Sequence, residues 1–238
     1  MGLALPVKSP SFLSFSVALA QSRVAVSAPA FVRRLARLGD LHIPSAGPGL
    51  SERLGQWVDW NRAIALSRAL DGAPAAGAAG IPVEGEEAAC ARVRATLQAA
   101  IFRTDTLDAL TGDDTAPFRR HCLDLQRSMQ AATGQLRGRL RDALATGSPA
   151  QARLAEVDAV MEMTLSPREQ ALLAATPALL CTHFDRLKLA YADDPDAAWL
   201  AGFRRDLRDV LLAELDVRFH PIEGLLAALR SPPVSGTP

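Results

Sequence analysis

APFRRHCLDLQRSMQAATGQLRGRLRDALA, residues 116–145, carries apolar side chains at Phe118, Cys122, Leu125, Met129, Ala132, Leu136, Leu140 and Ala143. Steps of three and four residues place all eight on one face of a helix, close to the heptad spacing by which helices pack along one another. The spacing predicts one helix over 116–145, with a seam roughly 40 Å long at 1.5 Å per residue. Gly134 and Gly138, four positions apart, predict the close approach of another backbone, at about 1 kcal/mol each in helix propensity. Upstream, Glu84, Glu86 and Glu87 open a second helix at the end where negative charge offsets the macrodipole. Its seam is Cys90, Val93, Leu97, Ala100, Thr104 and Leu107, and Thr111–Asp114 turns the chain. The two helices read as a long antiparallel hairpin over residues 84–145. The fold class is all-α, an irregular bundle of six to seven helices built on that hairpin.

Outward from the hairpin the signals remain helical. A short helix is expected over Pro29–Leu38, with Phe31, Leu35 and Leu38 inside. Leu50–Leu70 reads as one helix, apolar almost all round and buried by its neighbours, with Leu50, Leu54, Trp57, Ile64 and Ala65 on its most apolar side. Residues 72–83 (GAPAAGAAGIPV) form an Ala/Gly/Pro linker. A helix over Pro149–Thr164 follows, then a new start at Ser166-Pro167-Arg168-Glu169, which has the order of a capping box. Ala171–Cys181 should be the most buried run, restarting at Thr176-Pro177. Asp194-Pro195 opens the last long helix, with Trp199, Phe203, Leu207 and Leu215 inward. Arg205/Asp209 and Glu214/Arg218 are expected on its outer face as i,i+4 pairs, and His220-Pro221 should end it. Residues 1–27 read as a leader or a misassigned start, 28–230 as a single domain, and 231–238 as a frayed tail.

Composition bounds the function. Apolar content of 49% with 22% charged residues is that of an ordinary globular chain. Basic and acidic residues balance at 26 each, so nucleic-acid binding, which usually carries a basic excess, is not expected. Lys8 and Lys188 are the only lysines among the 26 basic residues. That arginine bias suits the codon usage of a GC-rich bacterial genome better than a taste for phosphate, because the arginines alternate with Asp and Glu. Three scattered cysteines form no disulfide framework and suit a reducing compartment, so the chain is placed in the cytoplasm. Lys8, the stretch Phe12–Ala20 and Ala18-Leu19-Ala20 sketch a short signal peptide, but Ser14 and Ser16 interrupt it.

Chemistry has few footholds. A zinc site from His121, Cys122, Cys181 and His183 lacks the ligand spacing of structural zinc, and neighbouring residues on a helix point about 100° apart. No metal and no cofactor are therefore expected. A Cys–His nucleophile from Cys181 and His183, oriented by Asp185, is the one catalytic candidate, although the i,i+2 spacing aims the first two apart. Asp193, Asp194 and Asp196 read as a helix N-terminus rather than a calcium loop. Arg137, Arg141 and Arg208 are candidates to line a groove for an acidic partner. Trp60, at the edge of the apolar arc near Arg53, is the better interface tryptophan, and Trp57 the core one.

The run Glu52-Arg53-Leu54-Gly55-Gln56-Trp57-Val58-Asp59-Trp60, with Ala63–Leu66 after it, resembles the signature of a family of functionally uncharacterised proteobacterial proteins. Pro221–Leu229 is similar to that family's C-terminal end. The resemblance spans about Ala28 to Arg230 and brings no catalytic residues. It implies a neighbourhood of genes for membrane proteins with peptidoglycan-binding domains, and hence an accessory role in a cell-envelope assembly. The expected function is a non-catalytic interaction protein that self-associates or binds a protein partner, with Trp60, Arg53, Arg137 and Arg141 as its contact residues. The alternatives are an enzyme using Cys181, His183 and Asp185, or arginine-mediated nucleic-acid binding.

Overall fold

A computed structural model describes residues 29–40, 49–71, 83–103, 114–192 and 198–231. Eight helices and no strand occur among them: α1 Ala30–Leu38, α2 Leu50–Trp57, α3 Trp60–Asp71, α4 Val83–Phe102, α5 Ala116–Ala145, α6 Pro149–Leu173, α7 Thr176–Ala190 and α8 Ala198–Arg230. The all-α expectation holds, with eight helices where six to seven were expected. The proposed leader, most of the 72–83 linker, all but Ser231 of the tail, and Asp193–Asp196 lie outside the described residues.

α5 has its expected bounds and seven of its eight seam residues are buried, with Ala132 half-buried. Asp114 Oδ1 accepts the Ala116 backbone N–H at 2.9 Å, satisfying a donor that the helix start leaves open. The expected hairpin partner is present: Arg139 Nη2 donates to Glu86 Oε1 at 2.7 Å, joining the start of α4 to the last turns of α5. The tighter hairpin is α5 with α6, across Thr146-Gly147-Ser148. Gln126 reaches the Leu173 carbonyl at 3.0 Å and Arg137 reaches Asp158 at 2.7 Å, so the two helices run antiparallel. A capping box starts α6, with the Ser148 N–H on Gln151 Oε1 at 2.9 Å and the Gln151 N–H on Ser148 Oγ at 3.3 Å. A side chain on Gly147 would meet Gln151 Oε1 at 2.3 Å, which explains the glycine there.

α8 lies along α5 and α4 and supplies the centre of the core. Leu207, Leu211, Leu215 and Ile222 from α8, Met129, Leu140 and Leu144 from α5, and Ile101 from α4 are inaccessible to solvent. Arg94 binds Asp216 at 3.3 Å and Glu223 at 3.0 Å, and Arg230 pairs with Glu87, so α4 and α8 are antiparallel. Phe118, Phe184 and Phe203 meet with ring centroids 5.0–5.4 Å apart where α5, α7 and α8 converge.

Six expectations are corrected. The tryptophan helix is two helices, because Asp59 caps α3: its Oδ1 accepts the Arg62 backbone N–H at 2.8 Å, and Val58 is extended. It is not buried either, with Ala69 the only buried residue of α3. Ser166-Pro167 starts no helix; α6 runs through Pro167, with buried Thr164 and Leu173 on either side. Ala171–Cys181 is half exposed and Leu172 is 72% accessible, although the restart at Thr176 occurs as expected. α8 passes through Pro221 because Phe219, Ile222, Leu225 and Leu226 are buried around it, and that packing offsets a proline cost of about 3 kcal/mol. Gly134 and Gly138 admit no close helix, since a Cβ at either would find nothing within 4 Å.

The sixth correction concerns charge. Glu214 and Arg218 are inside, at 0% and 8% exposure. Arg218 donates twice to Glu214 Oε1, from Nε at 3.0 Å and Nη2 at 2.8 Å. Gln126 Nε2 donates to Glu214 Oε2 at 2.8 Å. Asp209, expected to pair with Arg205, instead accepts from Arg34 Nη1 of α1 at 2.6 Å.

Candidate functional site

α7 carries the three residues of the catalytic candidate, but it does not gather them. His183 is buried and both its ring nitrogens are engaged: Nε2 faces Asp206 Oδ2 at 2.9 Å and Nδ1 faces Arg186 Nη2 at 3.0 Å. A guanidinium can only donate, so Nδ1 accepts, and the ring proton sits on Nε2 and is donated to Asp206. Arg186 Nη2 also donates to the Leu38 carbonyl at 2.7 Å, at the end of α1. The imidazole is thus a joint among α1, α7 and α8. Cys181, two positions back, lines an apolar crevice with Phe118, Cys122 and Pro177. Asp185 is exposed. Residues at i and i+2 lie about 200° apart around a helix, which is why neither reaches the imidazole.

Cys122 is sealed at 1% exposure, and burial, reinforced by the Glu214 carboxylate, pushes its thiol up to about 12. Cys90 is also buried and raised, first by desolvation and then by Glu86. Burial lowers the His121 imidazole. Cys122 and Cys181 line the same crevice, but the described residues contain no group of three or more His, Cys, Asp or Glu placed to hold a metal ion. Raised thiols hold little thiolate near neutrality, and thiolate is the nucleophile. Native protein treated with a thiol reagent at pH 8 should show at most one rapidly reacting cysteine, with all three reacting after denaturation. The Cys181→Ser variant should lose the fast phase, and a fast phase that survives would contradict the burial described.

Arg137 and Arg141 are both engaged within the chain. Arg137 grips Asp158 with Nε at 2.9 Å and Nη2 at 2.7 Å, the fork geometry that suits a carboxylate. Arg141 bonds the same Asp158 at 3.3 Å and also Glu162. Those two carboxylates raise the Arg141 guanidinium pKa against the opposing effect of its burial. The four charges tie α5 to α6. Arg208 is half-buried on α8.

Trp60 and Arg53 are placed differently. α2 and α3 form an elbow, and α3 rests on α6. Trp57 is half-buried, with the Arg168 guanidinium of α6 5.2 Å from its ring centroid. Trp60, at the first position of α3, is 79% exposed, and Arg53 is exposed too. Five of the nine large apolar side chains exposed among the described residues lie on this helix pair: Trp60 and Leu70 on α3, and Leu154, Met163 and Leu172 on α6. Trp60, the most exposed of those on α3, is the candidate interaction residue.

Neither the curated proteins nor the solved structures contain a match to this chain. A family model described as a protein of unknown function, DUF3348, matches residues 18–231. That span takes in both the Glu52–Trp60 string and the Pro221–Leu229 string, and the chain belongs to the DUF3348 family.

Proposed function

We propose that this chain is a cytoplasmic, non-catalytic interaction protein whose contact with another protein chain centres on Trp60. The observation that carries the reading is the indole at 79% exposure, heading a helix that packs on α6. Tryptophan and arginine are the residues most enriched where binding energy concentrates, and Arg53 lies on the adjoining α2. The internal ion pairs of Arg137 and Arg141 remove those two from the contact, which narrows the expected set to Trp60 and Arg53. The envelope neighbourhood implied by the family resemblance makes a membrane-associated assembly the first place to seek the partner. In the described residues no helix is long and apolar enough to cross a membrane.

The test compares wild type with Trp60→Asp for mass in solution over a concentration series and for proteins co-purified from the native host. The substitution should leave unfolding within about 0.5 kcal/mol of wild type, because the side chain is 79% exposed. Association, with itself or with the co-purified protein, should weaken by at least ~30-fold, the loss of about 2 kcal/mol expected at a binding hot spot. Unchanged association in the folded variant would sink the reading.

A further inference from the structure

Residues that helix interiors reject gather around one space. Gly134 lies in the middle of α5, Pro167 inside α6 and Pro221 inside α8. Gly134, Pro221 and Ser166, the neighbour of Pro167, all line a cleft of about 190 Å³ between these helices. An interior glycine costs about 1 kcal/mol and an interior proline about 3 kcal/mol. Proline has no N–H, so the Val217 carbonyl lacks the donor that position 221 would supply. Breaches of local rules that converge on one place are the expected mark of a site held for function. Gly134 does not serve helix packing, because a Cβ there would find open space. It keeps the floor of the cleft clear.

The lining is charged in both senses. Arg218 is more than nine-tenths buried, and Glu214 takes its Nε and Nη2. Asp158 takes Nε and Nη2 of Arg137, and the nearest carboxylate to Arg137 Nη1 is Glu162 at 3.6 Å, beyond hydrogen-bond reach. Arg137 Nη1 is thus in an ion pair without a hydrogen bond, no hydrogen bond is made by Arg218 Nη1 among the described residues, and both side chains line the cleft. Glu162 is taken by Arg141, whereas Glu169, also in the lining, has no ion pair or hydrogen bond among the described residues.

We infer that this cleft binds a small zwitterion of the free amino-acid class, its carboxylate on Nη1 of Arg137 and Arg218 and its ammonium on Glu169. A simple anion would face the unpaired Glu169, whereas a zwitterion sets its ammonium there and leaves its carboxylate for the guanidinium edges. The cleft has room for several water molecules, and so for a ligand of amino-acid size.

The full chain is titrated with glycine, L-glutamine and L-arginine, and separately with succinate and putrescine, followed by backbone amide shifts and by Tm. At least one amino acid should bind with Kd on the order of 1 mM or tighter, shift the Gly134 amide, and raise Tm by about 3–5 °C at tenfold excess over Kd. Succinate and putrescine should bind at least about tenfold more weakly. Gly134→Leu fills the open space with a better helix former, so it should fold and abolish the response. Glu169→Gln should weaken binding at least about tenfold without loss of fold. Trp60→Asp should leave binding unchanged, which separates this site from the interaction surface. No response to any amino acid, an undiminished response in Gly134→Leu, or tighter binding of succinate or putrescine overturns the assignment.

Discussion

Glu214→Ala should destabilise the protein by about 3–5 kcal/mol, because it leaves the Arg218 guanidinium buried without its counter-charge. Both bonds from Arg218 end on one carboxylate oxygen, and Gln126 holds the other, so a single truncation strips acceptors from two buried donors at once. Arg218→Ala should cost a similar amount, now by stranding the carboxylate. Glu214→Met combined with Arg218→Met should cost far less than either truncation, because desolvating two charges consumes most of what their attraction returns. Urea denaturation of the three variants measures the difference. A Glu214→Ala penalty under ~1 kcal/mol would mean that water reaches the pair and that α8 packs more loosely on α5 than described. Arg218 also walls the proposed ligand cleft, so the Met pair should lose ligand response while it remains folded. That outcome would separate the pair's structural work from its work in binding.

The same pair shows where the letters were legible and where they were not. α5 could be read to the residue because its seam is apolar throughout and Pro117 opens its first turn. On α8, Leu207, Leu211, Glu214, Arg218, Ile222 and Leu225 step by three and four along one face, and all are buried. The period pointed inward at Glu214 and Arg218, whereas the identity of the side chains pointed outward. Identity misled because a paired charge can follow the period into the core. Prolines misled in the same way. Pro167 and Pro221 are strong local stop signals, and tertiary burial on both sides of each overrides them. At Asp59 the error reversed: apolar continuity suggested one helix, while a short polar side chain able to cap the next turn ended it. For the candidate surface, the edge position of Trp60 on the helical wheel was visible in sequence. The capture of Arg137 and Arg141 by Asp158 and Glu162 was not, since those carboxylates lie on another helix.

Phe203→Ala is the other substitution expected to be severe, at about 3–5 kcal/mol. The ring is 1% exposed and contacts Phe118 at 5.1 Å and Phe184 at 5.0 Å, both edge to face, the arrangement that aromatic quadrupoles favour. Those partners sit on α5 and α7, so the cavity would open at the junction of three helices instead of between two that could close over it. Phe203 also lies 6.1 Å from the His183 ring, whose Nε2 proton is held by Asp206 on the same helix as Phe203. Loss of the aromatic wall should therefore loosen the joint that binds α1 to α7 and α8, and amide exchange should quicken in α1 before it does in α5. Phe203→Leu, which keeps most of the volume, should cost no more than about 1.5 kcal/mol. Phe102→Ala serves as the control: that ring is 53% exposed at the end of α4, and its removal should stay within about 0.5 kcal/mol of wild type. Equal penalties at Phe203 and Phe102 would refute the placement of the core at this junction. A large penalty at Phe203 with unchanged exchange in α1 would leave the core intact and break only the inferred coupling through His183.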